Sequence, residues 1–307
     1  MNLYYAPLEG ITTYIYRNTH SELFGGCDEY YAPFIVPTDN EKISMKTLRD
    51  INEQNNKVKP KIQVMCTTAT AFLEFVKKVR TIGFDEVNLN LGCPSGTVVK
   101  KSRGSGALRD VYALDRFFSE IFSDSDIKIT VKTRTGFYSH DEFDDILSVY
   151  NKYPIAELTV HPRIREEYYK GDPNMQSFDK AYIGFYGKLC YNGNIYSVQD
   201  YSAIIKKYPG LNSVMIGRGA VRNPAIFREI KGGKKLETAE LIKFSNLLEK
   251  RYFELLQSDR YTLHRLKEIW LYASDNYPEE TKIVKAIKKS SKLSDLNSAI
   301  NSLPEIS

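Results

Sequence analysis

A chain of 307 residues with 42% apolar content can bury a substantial core, as one large domain or two unequal ones. No stretch approaches the roughly 18 apolar residues of a membrane helix, and MNLYYAPLEG lacks the basic and apolar regions of a secretory leader, so a cytoplasmic protein is expected. The net charge of +5 is modest, and the four cysteines, Cys27, Cys66, Cys93 and Cys190, form no CxxC pair, which argues against a zinc ribbon or a disulfide framework.

In chain order, short β-branched or aromatic runs recur: NLYYA from Asn2, DEYYA from Asp28, KIQVM from Lys61 and EVNLNL from Glu86, then KITVKT from Lys128, ELTVH from Glu157, KLCYN from Lys188 and SVMIG from Ser213. Between them, AFLEFVKKVRTIG, DRFFSEIFS and DDILSVYNKY carry apolar residues at three- and four-residue spacing, the pattern of helices with one buried face. This alternation predicts parallel strands with right-handed crossovers, and eight repeats suit a closed (β/α)8 TIM barrel over residues 1–230. KGGKK at residues 231–235 reads as a linker. ETAELIKFSNLLEKRYFELLQ, TLHRLKEIWLYASDNY, EETKIVKAIKKS and LSDLNSAINSL then predict an all-helical bundle over residues 236–307. Residues 228–292 hold 15 Lys and Arg against 10 Asp and Glu, while the rest of the chain holds 28 of each sign. A basic bundle is either an ordinary solvated surface or a grip on an RNA backbone.

In a barrel the strand ends converge on one rim, where side chains meet to do chemistry. Pro7, Leu8 and Glu9 follow the first strand, Gln63 lies in the third, and Asn90 and Cys93 end the fourth. Lys132 and Arg134 end the fifth, His161 and Arg163 the sixth, Asn192 and Gly193 the seventh, and Gly217 and Arg218 the eighth. Glycines after the last two strands suit a phosphate held on bare backbone amides, with Arg218 as a charge-assisted clamp. Lys132 is either solvated or a fixed cation for negative charge on a cofactor ring, such as a reduced flavin. Gln63, an amide inside an apolar strand, must find hydrogen-bond partners, which a flavin pyrimidine edge would supply. His161 has no HxH, HExxH or carboxylate cluster beside it, so metal catalysis is not expected.

Cys93 sits between Gly92 and Pro94, in a rim loop rather than inside a strand. A buried structural cysteine is the bland reading. A thiol facing a cleft has an ordinary pKa of about 8.5, stays mostly protonated at cellular pH and suits general-acid work, whereas a nucleophile would need a histidine base from elsewhere. Lys100, Lys101 and Arg103 just behind it are either phosphate contacts or solvated loop charge.

APLEGIT at Ala6, IQV at Ile62, EVNLNLGCPS at Glu86, VKTRTG at Val131, VHPR at Val160, YNGNI at Tyr191 and IGRGAVRNPAIF at Ile216, in this order, resemble the flavin-dependent tRNA-dihydrouridine synthases over essentially the whole chain. HRLKEIWLY at His264 resembles the family's C-terminal helical element. The resemblance implies an FMN held by Pro7, Leu8, Glu9, Gln63, Lys132 and His161, with its phosphate on Asn192, Gly193, Gly217 and Arg218, and NADPH as reductant. It further implies hydride transfer to C6 of a tRNA D-loop uridine and a proton from Cys93 to C5. Asn90, Arg134, Arg163 and Tyr169 then fall on the uracil or RNA side, with Arg265 and Lys267 on the tRNA. A monomer without membrane or metal partners is expected. The chain departs from many members at Ala32-Pro33, where a Thr-Glu pair is usual, at Cys66, where glycine is, and at Thr97, where some branches carry lysine. The competing readings are an FMN barrel oxidoreductase acting on a free pyrimidine, like the dihydroorotate dehydrogenases, and a noncatalytic RNA-binding barrel. The basic bundle speaks against the first, and a flavin-yellow preparation would speak against the second.

Overall fold

Val, Ile, Leu and Tyr dominate the eight short runs, and each run pairs as a strand because side chains on both of its faces are buried. A computed structural model of the chain describes residues 1–37 and 44–306. The elements run β1 (Asn2–Tyr5), α1 (Tyr14–Leu23), β2 (Glu29–Tyr30), α2 (Met45–Ile51), β3 (Ile62–Val64), α3 (Ala69–Thr81), β4 (Glu86–Leu91), α4 (Gly96–Val99) and α5 (Val111–Ser123). They continue with β5 (Lys128–Gly136), α6 (Phe143–Tyr150), β6 (Glu157–Ile164), α7 (Met175–Gly184), β7 (Lys188–Asn192), α8 (Val198–Lys207), β8 (Ser213–Ile216), α9 (Arg218–Arg222) and α10 (Ile226–Ile230). Four more helices follow: α11 (Thr238–Leu256), α12 (Asp259–Ala273), α13 (Thr281–Lys289) and α14 (Leu293–Ile300).

All strand pairs are parallel, in the order β2-β1-β8-β7-β6-β5-β4-β3. Two parallel bridges, Tyr31 to Lys61 and Ile35 to Val64, join the ends of the sheet and close the (β/α)8 barrel at a short seam. Helices cover its outer face with their apolar stripes, for example Phe72, Phe75, Val76 and Val79 of α3 and Leu114, Phe118 and Ile121 of α5. Local chemistry sets where these helices begin: Thr68, Asp110, Asn174 and Ser197 each accept a backbone N–H of the first turn of α3, α5, α7 and α8. Inside the barrel, Tyr4, Ala6, Tyr31, Cys190 and Met215 form a small apolar plug of their own.

The C-terminal helices are stitched to the barrel along α1. Phe244 of α11 sets its ring edge-on against Tyr16 and Phe24, each at 5.3 Å. Arg251 donates to Thr19 and Glu22, both at 2.8 Å, and the Tyr252 and Thr13 hydroxyls lie 2.9 Å apart. α12 packs on α11 through Trp270, whose indole N–H donates to Ser245 at 3.0 Å. No helix among the described residues is long and apolar enough to cross a membrane.

Candidate active site

The strand ends surround an open cleft lined by the turn Ala6 to Glu9, by Asn90, Cys93, Lys132, Arg134, His161 and Tyr169, and by Asn192, Gly193, Gly217 and Arg218. Register explains why these residues meet: β4 aligns Asn90 with Lys132 of β5, and β5 aligns Arg134 with His161 of β6. Gln63 and Arg163 do not line the cleft, and each stands one layer behind a residue that does.

Gln63 belongs to a chain of amides across three strands. The Thr130 hydroxyl accepts from Asn88 Nδ2 at 2.9 Å, Asn88 Oδ1 accepts from Gln63 Nε2 at 2.7 Å, and Gln63 Oε1 accepts from Asn90 Nδ2 at 2.7 Å. That last bond turns Asn90 Oδ1 toward the loop, where it accepts the backbone N–H groups of Gly92 at 3.0 Å and Cys93 at 3.1 Å. The partners that the buried Gln63 requires are therefore protein side chains, and its effect is to aim Asn90. Asn88 and Thr130 were not singled out from sequence. The signal for Asn88 is the NLNL alternation, which puts it on the same strand face as Asn90.

The thiol loop is braced from behind. Ser105 donates both its N–H and its hydroxyl to the Cys93 carbonyl at 3.0 Å. Gly104 has φ +56°, and a Cβ there would lie 2.7 Å from the Cys93 carbonyl oxygen and 2.8 Å from Cys93 Cβ, so only glycine lets the two segments touch. Burial pushes the Cys93 thiol above its ordinary value, against the opposing pull of the Ser95 backbone, Arg134 and Lys132, so the neutral thiol dominates at pH 7.

Cations surround that thiol. The half-buried Lys132 ammonium makes no hydrogen bond to protein among the described residues, and its pKa is lowered to about 8 by burial and by the nearby Arg134 charge. Arg134 is held by carbonyls: Nε donates to Gly92 at 2.8 Å, and the guanidinium ends donate to Ile164 at 2.9 Å and Tyr168 at 2.6 Å. Arg163 is fully buried; it donates to the Lys170 and Gly171 carbonyls and to Asn194, and its Nε donates to His161 Nε2 at 3.1 Å. Burial and the charges of Arg134, Lys132, Arg163 and Arg218 drive His161 well below the usual histidine range, so the imidazole is neutral. Arg163 thus serves His161 and the loop after β6.

At the far end of the cleft, Arg218 donates to the Tyr169 carbonyl at 3.1 Å and to Asn194 Oδ1 at 2.9 Å. The Tyr169 ring is stacked near His161 and lies against the guanidiniums of Arg134 at 5.5 Å and Arg218 at 5.1 Å, half-exposed at the mouth. Asn192 Nδ2 donates to the Met215 carbonyl at 2.8 Å, tying β7 to β8 beneath Gly193 and Gly217. A Cβ on Gly219 would run into the Ile195 carbonyl, so the two glycine turns also need glycine to pack together.

The bundle residues singled out from sequence are both engaged. Arg265 donates to the Gly10 carbonyl at 3.0 Å and pairs with Glu268 at 3.1 Å, which docks α12 on the rim. Lys267 donates to the Ser290 carbonyl at 2.8 Å and closes the end of α13. Behind Cys93, Lys100 and Lys101 are exposed and Arg103 is half-buried. Among the described residues, no group of three or more His, Cys, Asp or Glu side chains has the arrangement of a metal site.

Comparison with known proteins adds an independent line. The profile of the dihydrouridine synthase family (Dus) matches residues 4–303. A tRNA-dihydrouridine(16) synthase of Neisseria meningitidis serogroup A is 28% identical over 289 residues, covering 87% of this chain and 83% of that protein. The tRNA-dihydrouridine synthase B of Proteus vulgaris is 28% identical over 243 residues, covering 77% of this chain and 72% of that protein. Among solved structures, morphinone reductase in complex with tetrahydroNAD superposes with a TM-score of 0.54 at 10% identity, over 76% of this chain and 88% of that one, a likeness of fold.

Proposed function

The chain belongs to the dihydrouridine synthase family, whose members are flavin oxidoreductases, and from that premise we propose that it reduces the C5–C6 double bond of a D-loop uridine in tRNA, with FMN as cofactor and NADPH as reductant. The observation that carries this reading is the meeting of a neutral thiol, Cys93, and an unpartnered ammonium, Lys132, in one cleft with Asn90, which β4 aligns with Lys132 of β5.

The donor set fits an anionic cofactor. Lys132, Arg134 and Arg218 line the cleft against the single carboxylate of Glu9, and two glycine turns offer bare backbone at the Arg218 end. In this reading Pro7, Leu8, Glu9, Lys132 and His161 hold the ring, Gln63 acts through Asn90, and Asn192, Gly193, Gly217 and Arg218 hold the phosphate. Bound reduced FMN supplies the hydride for C6 of the uracil. Cys93 gives its thiol proton to C5, and the ammonium of Lys132 steadies the resulting thiolate. Asn90, Arg134 and Tyr169 face the base, which must leave its stack to enter the cleft. Arg163 supports that face through His161. Arg265 and Lys267 act by holding α12 and α13 in place for the tRNA. Residues 1–230 carry the chemistry and residues 236–307 the RNA, in a cytoplasmic monomer.

Purified protein should be flavin-yellow and should restore dihydrouridine to tRNA from a strain lacking it. Cys93→Ala should keep its FMN but lose about 10²–10⁴-fold in turnover. Turnover of free uracil or orotate with none on tRNA would overturn the assignment, and unchanged turnover by Cys93→Ala would overturn the proton donor.

A further inference from the structure

The excess positive charge of the whole protein resides in one short segment. Residues 281–292, TKIVKAIKKSSK, contain five lysines, Lys282, Lys285, Lys288, Lys289 and Lys292, and no acidic residue. Leaving those five aside, the chain's 43 basic residues fall to 38, matching its 38 acidic ones. Most of the segment is α13, whose Ile283, Val284 and Ile287 pack into the bundle core, while all five lysines are exposed.

Their spacing makes a stripe. Lys282, Lys285 and Lys289 recur at three- and four-residue steps and share one helix face, with the small, exposed Ala286 among them. They span about 10 Å of helix, the scale of neighbouring phosphates on one RNA strand. None of the five forms an ion pair among the described residues. Three carboxylates of the bundle are engaged by other groups, Glu237 by Lys234, Glu268 by Arg265 and His264, and Asp295 by Ser291, while Glu279 and Glu280 directly precede the segment. Helix electrostatics does not account for the pattern. Lys288 and Lys289 favour the C-terminal end of the dipole, but Lys282 lies in the first turn, where a cation is unfavourable. Like charges three and four residues apart also repel. The stripe is therefore a concentration of like charge with no ion pair of its own among the described residues, and a polyanion laid along it would relieve the repulsion.

We propose that the outer face of α13 is a docking surface for the phosphate backbone of the tRNA, distinct from Arg265 and Lys267, whose charged ends are spent on the Gly10 and Ser290 carbonyls. The inference rests on the tRNA reading above. It assigns α13 a contact that is sequence-independent and salt-sensitive, outside the catalytic cleft.

The test combines Lys282→Gln, Lys285→Gln and Lys289→Gln in the full-length holoenzyme. The control is Lys188→Gln with Lys206→Gln, two exposed lysines on β7 and α8. Binding of unmodified tRNA is measured against salt concentration, with the flavin absorption spectrum as a check on the fold. The triple variant should keep its spectrum, lower the slope of log K against log salt by about two to three, roughly one per lost phosphate contact, and weaken binding about tenfold or more near physiological salt. The control should leave the slope unchanged. An unaltered slope in the triple variant overturns the docking surface, as does loss of binding to phosphatidylserine vesicles with tRNA binding intact, which would make the partner a membrane. Wild-type enzyme that forms no dihydrouridine in tRNA overturns the functional reading itself, a result separate from either outcome for the variant.

Discussion

Arg163 has only donors to offer, so its 3.1 Å bond to His161 fixes which imidazole nitrogen carries the proton. Nε2 must accept, and the neutral ring is therefore protonated on Nδ1. In ¹⁵N spectra of the wild-type protein, His161 should show an unprotonated Nε2 and a protonated Nδ1 across neutral pH. Arg163→Met should mix the two tautomers, and a protonated Nε2 in the wild type would refute the assignment. Lys132 gives a second residue-scale expectation. Its folded pKa of about 8 lies below the ordinary lysine value, so the cation is complete only well below pH 8 and is lost as pH rises through it. An anionic cofactor prefers the ammonium. FMN affinity of the apoprotein should therefore be flat below about pH 8 and fall up to tenfold per pH unit above it, and Lys132→Arg should remove the bend. Titrating apoprotein with FMN between about pH 6 and 10 reads this directly.

β4 is the element on which the site is built. It brings Asn88 and Asn90 to one face, and the amide chain from Thr130 through Asn88 and Gln63 converts strand pairing into the position of Cys93. Asn88→Leu is nearly isosteric but leaves the Gln63 amide without its acceptor. The expected cost is about 1–3 kcal/mol of stability, read by urea unfolding, with a fall in turnover larger than the change in FMN binding. Full activity in that variant would show that the chain does not aim Asn90. The element pattern was legible in the sequence because alternating apolar runs and amphipathic helices are local signals, and all eight strands and the four C-terminal helices lie where those signals fall. The cleft residues were legible too, since parallel strands in a barrel deliver their C-terminal ends to one rim. What could not be read was which polar side chain pairs with which. Gln63, Arg163, Arg265 and Lys267 have partners 27, 31, 255 and 23 residues away. Register and docking decide such pairings, and neither is encoded locally.

Across the molecule, α11 and α12 lean on the barrel from one side, through Phe244, Arg251 and Tyr252 on α1 and through Arg265 on Gly10. Opposite in character is the barrel's closure, where β2 contributes two residues and β3 three, against nine in β5 and eight in β6. Among the described residues, only the bridges Tyr31 to Lys61 and Ile35 to Val64 span the seam. Amide hydrogen exchange should accordingly be graded around the barrel, slowest in β5 and β6 and fastest at the β2–β3 seam, because few backbone bonds must break there. Uniform protection around all eight strands would contradict this. The seam adjoins Gln63, the link that aims Asn90, so an opening too small to unfold the protein reaches the thiol loop first. The barrel is thus closed least firmly where its chemistry is aimed, and bound cofactor should slow exchange there more than anywhere else in the sheet.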